Sequence, residues 1–235
     1  EESVVAGREQ PEIVNVRITR HGPIFNDVAG GTEDEWAYGW EPLAFSWTGL
    51  EPGTIFKSLL MLNRAQNWDE FREALRYWDV PGQNAVYADV DGNIGYQATG
   101  KVPIRASGNG SMPVPGWTNQ FEWVDTVPYE ELPSVFNPPA GYISTANNAV
   151  VGPDYPYFLS MDWNPGYRAR RIVELIEADE SISLVDMQTI QRDSTPLYAQ
   201  DILHWILAVH PEQPRLQAAL DLLRSWDGRA DRESA

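Results

Sequence analysis

Asn84-Ala85-Val86-Tyr87-Ala88-Asp89-Val90 runs into Asp91-Gly92-Asn93 and leaves through Ile94-Gly95-Tyr96-Gln97-Ala98-Thr99. An Asp-Gly pair between two alternating segments is the strongest short hairpin signal, because glycine reaches the backbone conformations that a tight turn between twisted strands requires. Antiparallel sheet is therefore expected at the centre of the chain.

Upstream of the hairpin, Asn67 is a good N-cap for a helix in which Trp68, Phe71, Leu75 and Trp78 share one face, ended by Pro81-Gly82. A shorter helix precedes it. Thr54 can cap that helix, and Ile55, Phe56, Leu59, Leu60 and Leu62 keep a roughly helical spacing. Glu51-Pro52-Gly53 stops a strand candidate at Leu43 to Thr48, and from Ile13 to Phe25 the residues Val14, Val16 and Ile18 alternate with Asn15, Arg17 and Thr19 until Gly22-Pro23 breaks the pattern.

Downstream, Lys101 to Pro139 is rich in Pro and Gly with scattered Trp, too long for an ordinary loop and too aromatic for a flexible linker, and is expected to wrap the body. Tyr142 to Ala146 reads as a short strand running into Asn147-Asn148, after which Gly152-Pro153 and Asn164-Pro165-Gly166 turn the chain. Beyond Gly166 the pattern is helical: Tyr167 to Glu177, a segment opened by Ser183 with Asp186 three positions on, Leu197 to Val209, and Pro214 to Trp226. Strands first and helices last argue for an α+β fold with antiparallel sheet. Residues 1–165 form its mainly β part with wrapping loops, and residues 166–235 the helical part of the same domain. No internal repeat is visible.

Composition narrows function. With 34 acidic against 17 basic residues, a net charge of −17 repels phosphate backbones, so nucleic acid is excluded as an expected partner. Zero Cys removes thiol nucleophiles, Cys-based zinc sites and disulfides. No apolar run approaches the ~18 residues of a membrane span. The abrupt ends, Glu1-Glu2-Ser3 and Asp231-Arg232-Glu233-Ser234-Ala235, fit a processed piece of a longer polypeptide.

His21, His204 and His210 form no metal-ligand spacing, His21 reads as structural, and no GxSxG elbow, Walker loop or GxGxxG is present. Glu33-Asp34-Glu35 reads as a solvated acidic loop and Asp89 near Asp91 as turn chemistry, although a pair of carboxylates keeps a glycosidase in view. Ten Trp and ten Tyr make up much of an aromatic core, and they also motivate a non-catalytic carbohydrate-binding module as the alternative reading. One junction carries sharper chemistry. An Asn where a strand ends, here Asn147, can aim its side-chain amide at an oxygen that gains negative charge, a contact worth on the order of 3 kcal/mol of transition-state stabilisation. Its plainer reading is an Asn-Asn turn capped by its own side chains.

Several motifs stand in register with that junction: Tyr87 to Tyr96, Pro113-Val114-Pro115-Gly116, Asn137-Pro138, Gly141-Tyr142-Ile143, Asn147-Asn148, Asp154-Tyr155-Pro156, and Trp163 followed by Tyr167-Arg168-Ala169-Arg170-Arg171-Ile172. In that order the chain resembles the penicillin acylase family of N-terminal nucleophile hydrolases, from Arg20-His21-Gly22-Pro23 to Trp226-Asp227-Gly228. The resemblance implies a fragment of a four-layer αββα fold. It implies a self-cleaving precursor whose larger subunit starts with a nucleophilic Ser, acting through an acyl-enzyme on linear amides of acylated amines such as lactam side chains or acyl-homoserine lactones.

It implies that Asn147 donates to the oxyanion and that an Arg near it, matched to Arg171 rather than Arg168, orients the site; the plainer role of Arg171 is pairing with local acids. Gln83 matches a position lining the acyl pocket, polar where an apolar residue favours a phenylacetyl group. The nucleophilic Ser has no match in this segment, so the expected partners are the missing upstream part of the nucleophile subunit, the smaller subunit and a small-molecule amide, and the chain alone is expected to be inactive. No cofactor is implied as required. Some relatives hold a structural calcium, but with only Asp154 and Asp162 nearby no metal site is assigned here. The resemblance points to a periplasmic or secreted location.

Overall fold

A computed structural model of the chain describes residues 2–3, 12–13, 16–26, 41–232 and 234. Val14, Asn15 and the acidic run Glu33-Asp34-Glu35 lie outside the described residues. The chain divides into two compact units, one of Glu1–Gly141 with Tyr155–Met161 and one of Tyr142–Asp154 with Asp162–Ala235.

In the first unit, strand β1 (Glu2–Ser3) pairs antiparallel with β2 (Glu12–Ile13), and β3 (Ile18–Thr19) with β4 (Gly22–Pro23). The expected strand from Ile13 to Phe25 is thus corrected to a tight hairpin that reverses at Arg20-His21, with Gly22-Pro23 serving as its second arm instead of ending the first. Gly22 takes φ +124°, and a Cβ there would fall 2.1 Å from the Phe45 carbonyl oxygen, so a residue with a side chain does not fit. The strand expected at Leu43 to Thr48 is reduced to one bridge, Ala44 opposite Ile24, because a 3₁₀ turn at Thr48–Leu50 bends the chain away.

Helices α1 (Ile55–Leu62) and α2 (Trp68–Leu75) follow and pack on each other. Asn67 caps α2 as expected, accepting from the Glu70 amide at 2.9 Å. Thr54 does not cap α1. Its hydroxyl donates instead to the Tyr77 carbonyl at 3.0 Å and to Asp79 at 2.8 Å, tying the start of α1 to the chain that leaves α2. α2 stops at Leu75, short of Trp78, whose indole donates to the Pro81 carbonyl at 2.7 Å.

The hairpin forms as read. β5 (Asn84–Ala88) and β6 (Ile94–Ala98) pair in the register Tyr87 to Gly95. The long Pro- and Gly-rich segment is more ordered than a wrapping loop: it supplies β7 (Pro103–Arg105) and β8 (Trp123–Thr126), which pair together, and β9 (Ser134–Phe136), which joins the hairpin in the antiparallel order β5-β6-β9. The Trp68 ring packs among Phe71, Tyr87 and Phe136 at centroid separations of 5.8, 5.5 and 5.2 Å. A Cβ at Gly95 would come within 2.4 Å of that indole, so the glycine leaves the room that α2 needs to lie on β6. Gln97, fully buried, accepts from the Arg72 guanidinium at 2.9 Å and donates to the Ala98 carbonyl, so the seam holds no unpaired amide.

In the second unit no strand forms at Tyr142 to Ala146, which correlates with the absence of any ladder partner there among the described residues. Four helices follow: α3 (Tyr167–Glu177), α4 (Leu184–Gln191), α5 (Leu197–Leu207) and α6 (Pro214–Ser225). Ser183 and Asp186 form the capping box read from the sequence, and Pro214 opens α6 at a position where its missing N–H costs nothing. α3 packs on α4 and α5, and α5 on α6. Mixed helices and antiparallel sheets make the chain α+β. Among the described residues no helix is long and apolar enough to cross a membrane.

Candidate active site

Asn147 belongs to the second unit. The preceding residue, Ala146, is buried, and its amide donates to the Asn148 side chain at 3.0 Å, which closes a tight turn around Asn147. Asn147 itself is exposed and takes φ +61°, a left-handed conformation that asparagine tolerates better than most residues. Its backbone carbonyl accepts from the Asn164 amide at 2.8 Å. Gly166 at φ +83° then starts α3, and the second residue of that helix is Arg168.

One nitrogen of the Arg168 guanidinium, Nη2, donates to the Ala146 carbonyl at 2.8 Å and to Asn147 Oδ1 at 2.7 Å. A guanidinium has no acceptor, so only the oxygen end of the carboxamide can face it. The NH2 end must therefore point elsewhere, and among the described residues it makes no hydrogen bond. Arg168 is exposed and no carboxylate pairs with it among the described residues, so its charge is not cancelled locally. The arrangement is a fixed amide donor backed by a cation, suited to an oxygen that acquires negative charge.

Arg171, the residue matched from the sequence, is engaged elsewhere. Its Nε and Nη2 grip the two oxygens of Asp193 at 2.8 Å each, with Thr195 and Glu174 further out. This fork holds the Asp193 carboxyl down at about 2, chiefly through the Arg171 hydrogen bonds and against the cost of burial. The structure thus brings Arg168 to Asn147 and ties Arg171 to the chain after α4. Sequence spacing pointed to Arg171, whereas the arginine that meets Asn147 is Arg168, in the first turn after the Gly166 turn.

Gln83 lies in the first unit, just before β5. Its backbone is clamped to Thr99, the amide donating to Thr99 Oγ1 at 2.9 Å and the carbonyl accepting from Thr99 N at 3.0 Å. The side chain is exposed and has no hydrogen-bond partner among the described residues. Asp89 is consumed by the hairpin turn: its carboxylate accepts from Tyr87 Oη, Asn93 N, Asn93 Nδ2 and Asp91 N at 2.8 to 3.0 Å. These donors, Asn93 first, hold it below the usual carboxylate range, while burial and the Asp89 charge push the Tyr87 phenol up to about 12. Such a carboxylate has no capacity left for the proton transfers a glycosidase needs. His21 lies 3.7 Å from Glu122 beside Arg20, which donates to the Gly116 and Thr118 carbonyls. Among the described residues no three acidic or histidine side chains gather as a cation site.

The family model described as Penicillin amidase matches residues 1–235. This chain belongs to the penicillin amidase family. Penicillin acylase 2 proenzyme of Pseudomonas sp. strain SE83 is 34% identical over 219 residues, covering 91% of this chain and 27% of that protein. Acyl-homoserine lactone acylase QuiP of Pseudomonas aeruginosa is 30% identical over 238 residues, covering 92% of this chain and 28% of that protein. The chain therefore spans about a quarter of the length of these curated relatives. The thermostable penicillin G acylase from Alcaligenes faecalis superposes with a TM-score of 0.65 at 24% identity, over 97% of this chain and 41% of that one, so the two share the N-terminal nucleophile hydrolase fold. The curated relatives are named as acylases, and the family match gives the carbohydrate-binding reading no support.

Proposed function

We propose that these residues supply the oxyanion side of an amide-hydrolysing site. The substrate is a linear amide of an acylated amine, and the nucleophilic Ser is supplied by polypeptide outside the 235 residues. The observation that carries the reading is the Asn147 carboxamide, its oxygen taken by Arg168 and its NH2 left to donate. When a nucleophile adds to a scissile carbonyl, the oxygen becomes an alkoxide. A donor already oriented toward that position stabilises it without reorganising at the moment of reaction. Arg168, rather than Arg171, takes the orienting role.

No cofactor takes part. The remaining portions of a processed precursor are the partners. In the full-length polypeptide, Asn147→Ala should cut kcat by ~100-fold or more on a phenylacetyl or fatty-acyl amide, with little change in folding. The 235-residue chain by itself should show no turnover. Near-normal kcat in the variant would remove Asn147 from the mechanism.

A further inference from the structure

The loop between β7 and β8 holds the one Asn-Gly pair in the sequence, Asn109-Gly110. Both residues are exposed, and Gly110 takes φ +75°. Glycine carries no Cβ to shield its own amide nitrogen, so that nitrogen reaches the carboxamide of the preceding asparagine more readily than the nitrogen of any other residue. Asparagine is a thermolabile residue for this reason, and the surroundings decide whether a given pair reacts.

Asn109 Oδ1 accepts from the Ser111 amide at 3.1 Å and from the Ser111 hydroxyl at 2.6 Å. This Asx turn folds the carboxamide back toward the peptide that follows it. It also sets two donors on the oxygen that gains negative charge when the carboxamide carbon is attacked. Gly110 N makes no hydrogen bond among the described residues. The Arg105 guanidinium lies against Gly110, where a Cβ would fall 2.8 Å from its Nη2 and 3.0 Å from its Cζ. Arg105 has no carboxylate partner among the described residues and packs over the Trp123 ring at 5.8 Å. A cation beside an amide favours loss of the amide proton. The group that would leave, Asn109 Nδ2, is held by nothing stronger than a 3.7 Å contact to Met161 Sδ.

We propose that Asn109-Gly110 is a self-modification site, at which the folded chain deamidates its own asparagine with Ser111 as the oxyanion donor. Gly110 N passes its proton to water and forms a bond to Asn109 Cγ. The resulting oxyanion, held by the two Ser111 donors, collapses and breaks the Cγ–Nδ2 bond, and Nδ2 takes a proton from water and leaves as ammonia. Water then opens the five-membered imide. Breaking the new N–Cγ bond gives aspartate, and breaking the original peptide bond gives isoaspartate. Either product adds one negative charge beside the contact between Arg105 and Gly110, where the guanidinium has no carboxylate partner among the described residues.

The test incubates the full-length polypeptide, folded and urea-unfolded, in mildly alkaline buffer made with heavy-oxygen water, and follows position 109 by peptide mass mapping. The folded protein should exchange the Asn109 NH2 for one labelled oxygen and yield aspartate and isoaspartate together. Folded Ser111→Ala keeps the backbone donor but lacks the hydroxyl, and should convert about tenfold more slowly. In urea the two proteins should convert alike. Asn109 still intact in the folded protein after the unfolded protein has converted overturns the proposal, as do equal rates for the two folded proteins. None of these readouts depends on amidase turnover, so the outcome leaves the role of Asn147 to its own test.

Discussion

Among the described residues two that are not glycine take positive φ, Asn137 at 47° and Asn147 at 61°. At Asn137 both ends of the carboxamide are spent on the hairpin: Oδ1 accepts from the Ile94 amide at 2.9 Å and Nδ2 donates to Asn93 Oδ1 at 2.8 Å. At Asn147 the oxygen is held by Arg168 and the nitrogen is left over. One backbone solution therefore serves two purposes. Where the side chain closes its own hydrogen bonds the residue is fully used by the fold, and where it keeps one donor uncommitted the same conformation leaves a group free for the role proposed above.

The sharpest way to break this comparison is Asn147→Gly, which keeps the left-handed backbone at no steric cost and removes only the amide. Turnover of the full-length enzyme should fall ~100-fold with the melting temperature nearly unchanged; retained turnover would show that the backbone, not the amide, is what the site needs. The converse substitution, Asn137→Ala, should cost about 2 kcal/mol of stability in urea unfolding, from two lost hydrogen bonds and the left-handed strain of alanine, while kcat per folded molecule is kept. A fall in kcat without a fall in stability would reverse the assignments.

A smaller effect separates the two arginines. Arg168→Lys replaces a planar guanidinium, one nitrogen of which bridges two oxygens, by a point charge, and steady-state kinetics should show kcat reduced ~10-fold with KM less affected. Arg171→Lys should lower the melting temperature instead, because the two-pronged grip on Asp193 is lost. The smallest effect is a pH dependence. The folded Asp193 carboxyl sits at about 2, below its value in the unfolded chain near 3.9. Its stabilisation is thus present above about pH 4 and is lost as pH falls toward 2. Acid unfolding of Asp193→Asn followed by circular dichroism should begin from a less stable protein and lose less stability across that window.

What could be read from the residues is whatever local chemistry decides. The Asp91-Gly92 turn, the Asn67 cap and the Ser183/Asp186 box act within a few residues, and each forms as expected. Thr54 shows the limit, since a remote carboxylate, Asp79, outcompetes the cap it was placed to make. The strand expected at Tyr142 to Ala146 failed for a similar reason: residues that suit extended backbone still need a ladder neighbour, which the segment cannot specify. The arginine choice was decided by still less. Three positions along a helix are ~4.5 Å of rise and ~60° of rotation, too fine a difference for spacing to resolve but enough to give one guanidinium to Asn147 and the other to Asp193.

The contact between Arg168 and Asn147 has an electronic side as well. An amide whose oxygen faces a positive charge draws density from nitrogen toward oxygen, and its N–H bonds become more acidic and stronger as donors. The same 2.7 Å contact that orients the carboxamide also sharpens it. A neutral group at position 168 that reproduced the geometry would still leave Asn147 a weaker hydrogen-bond donor in the proposed site.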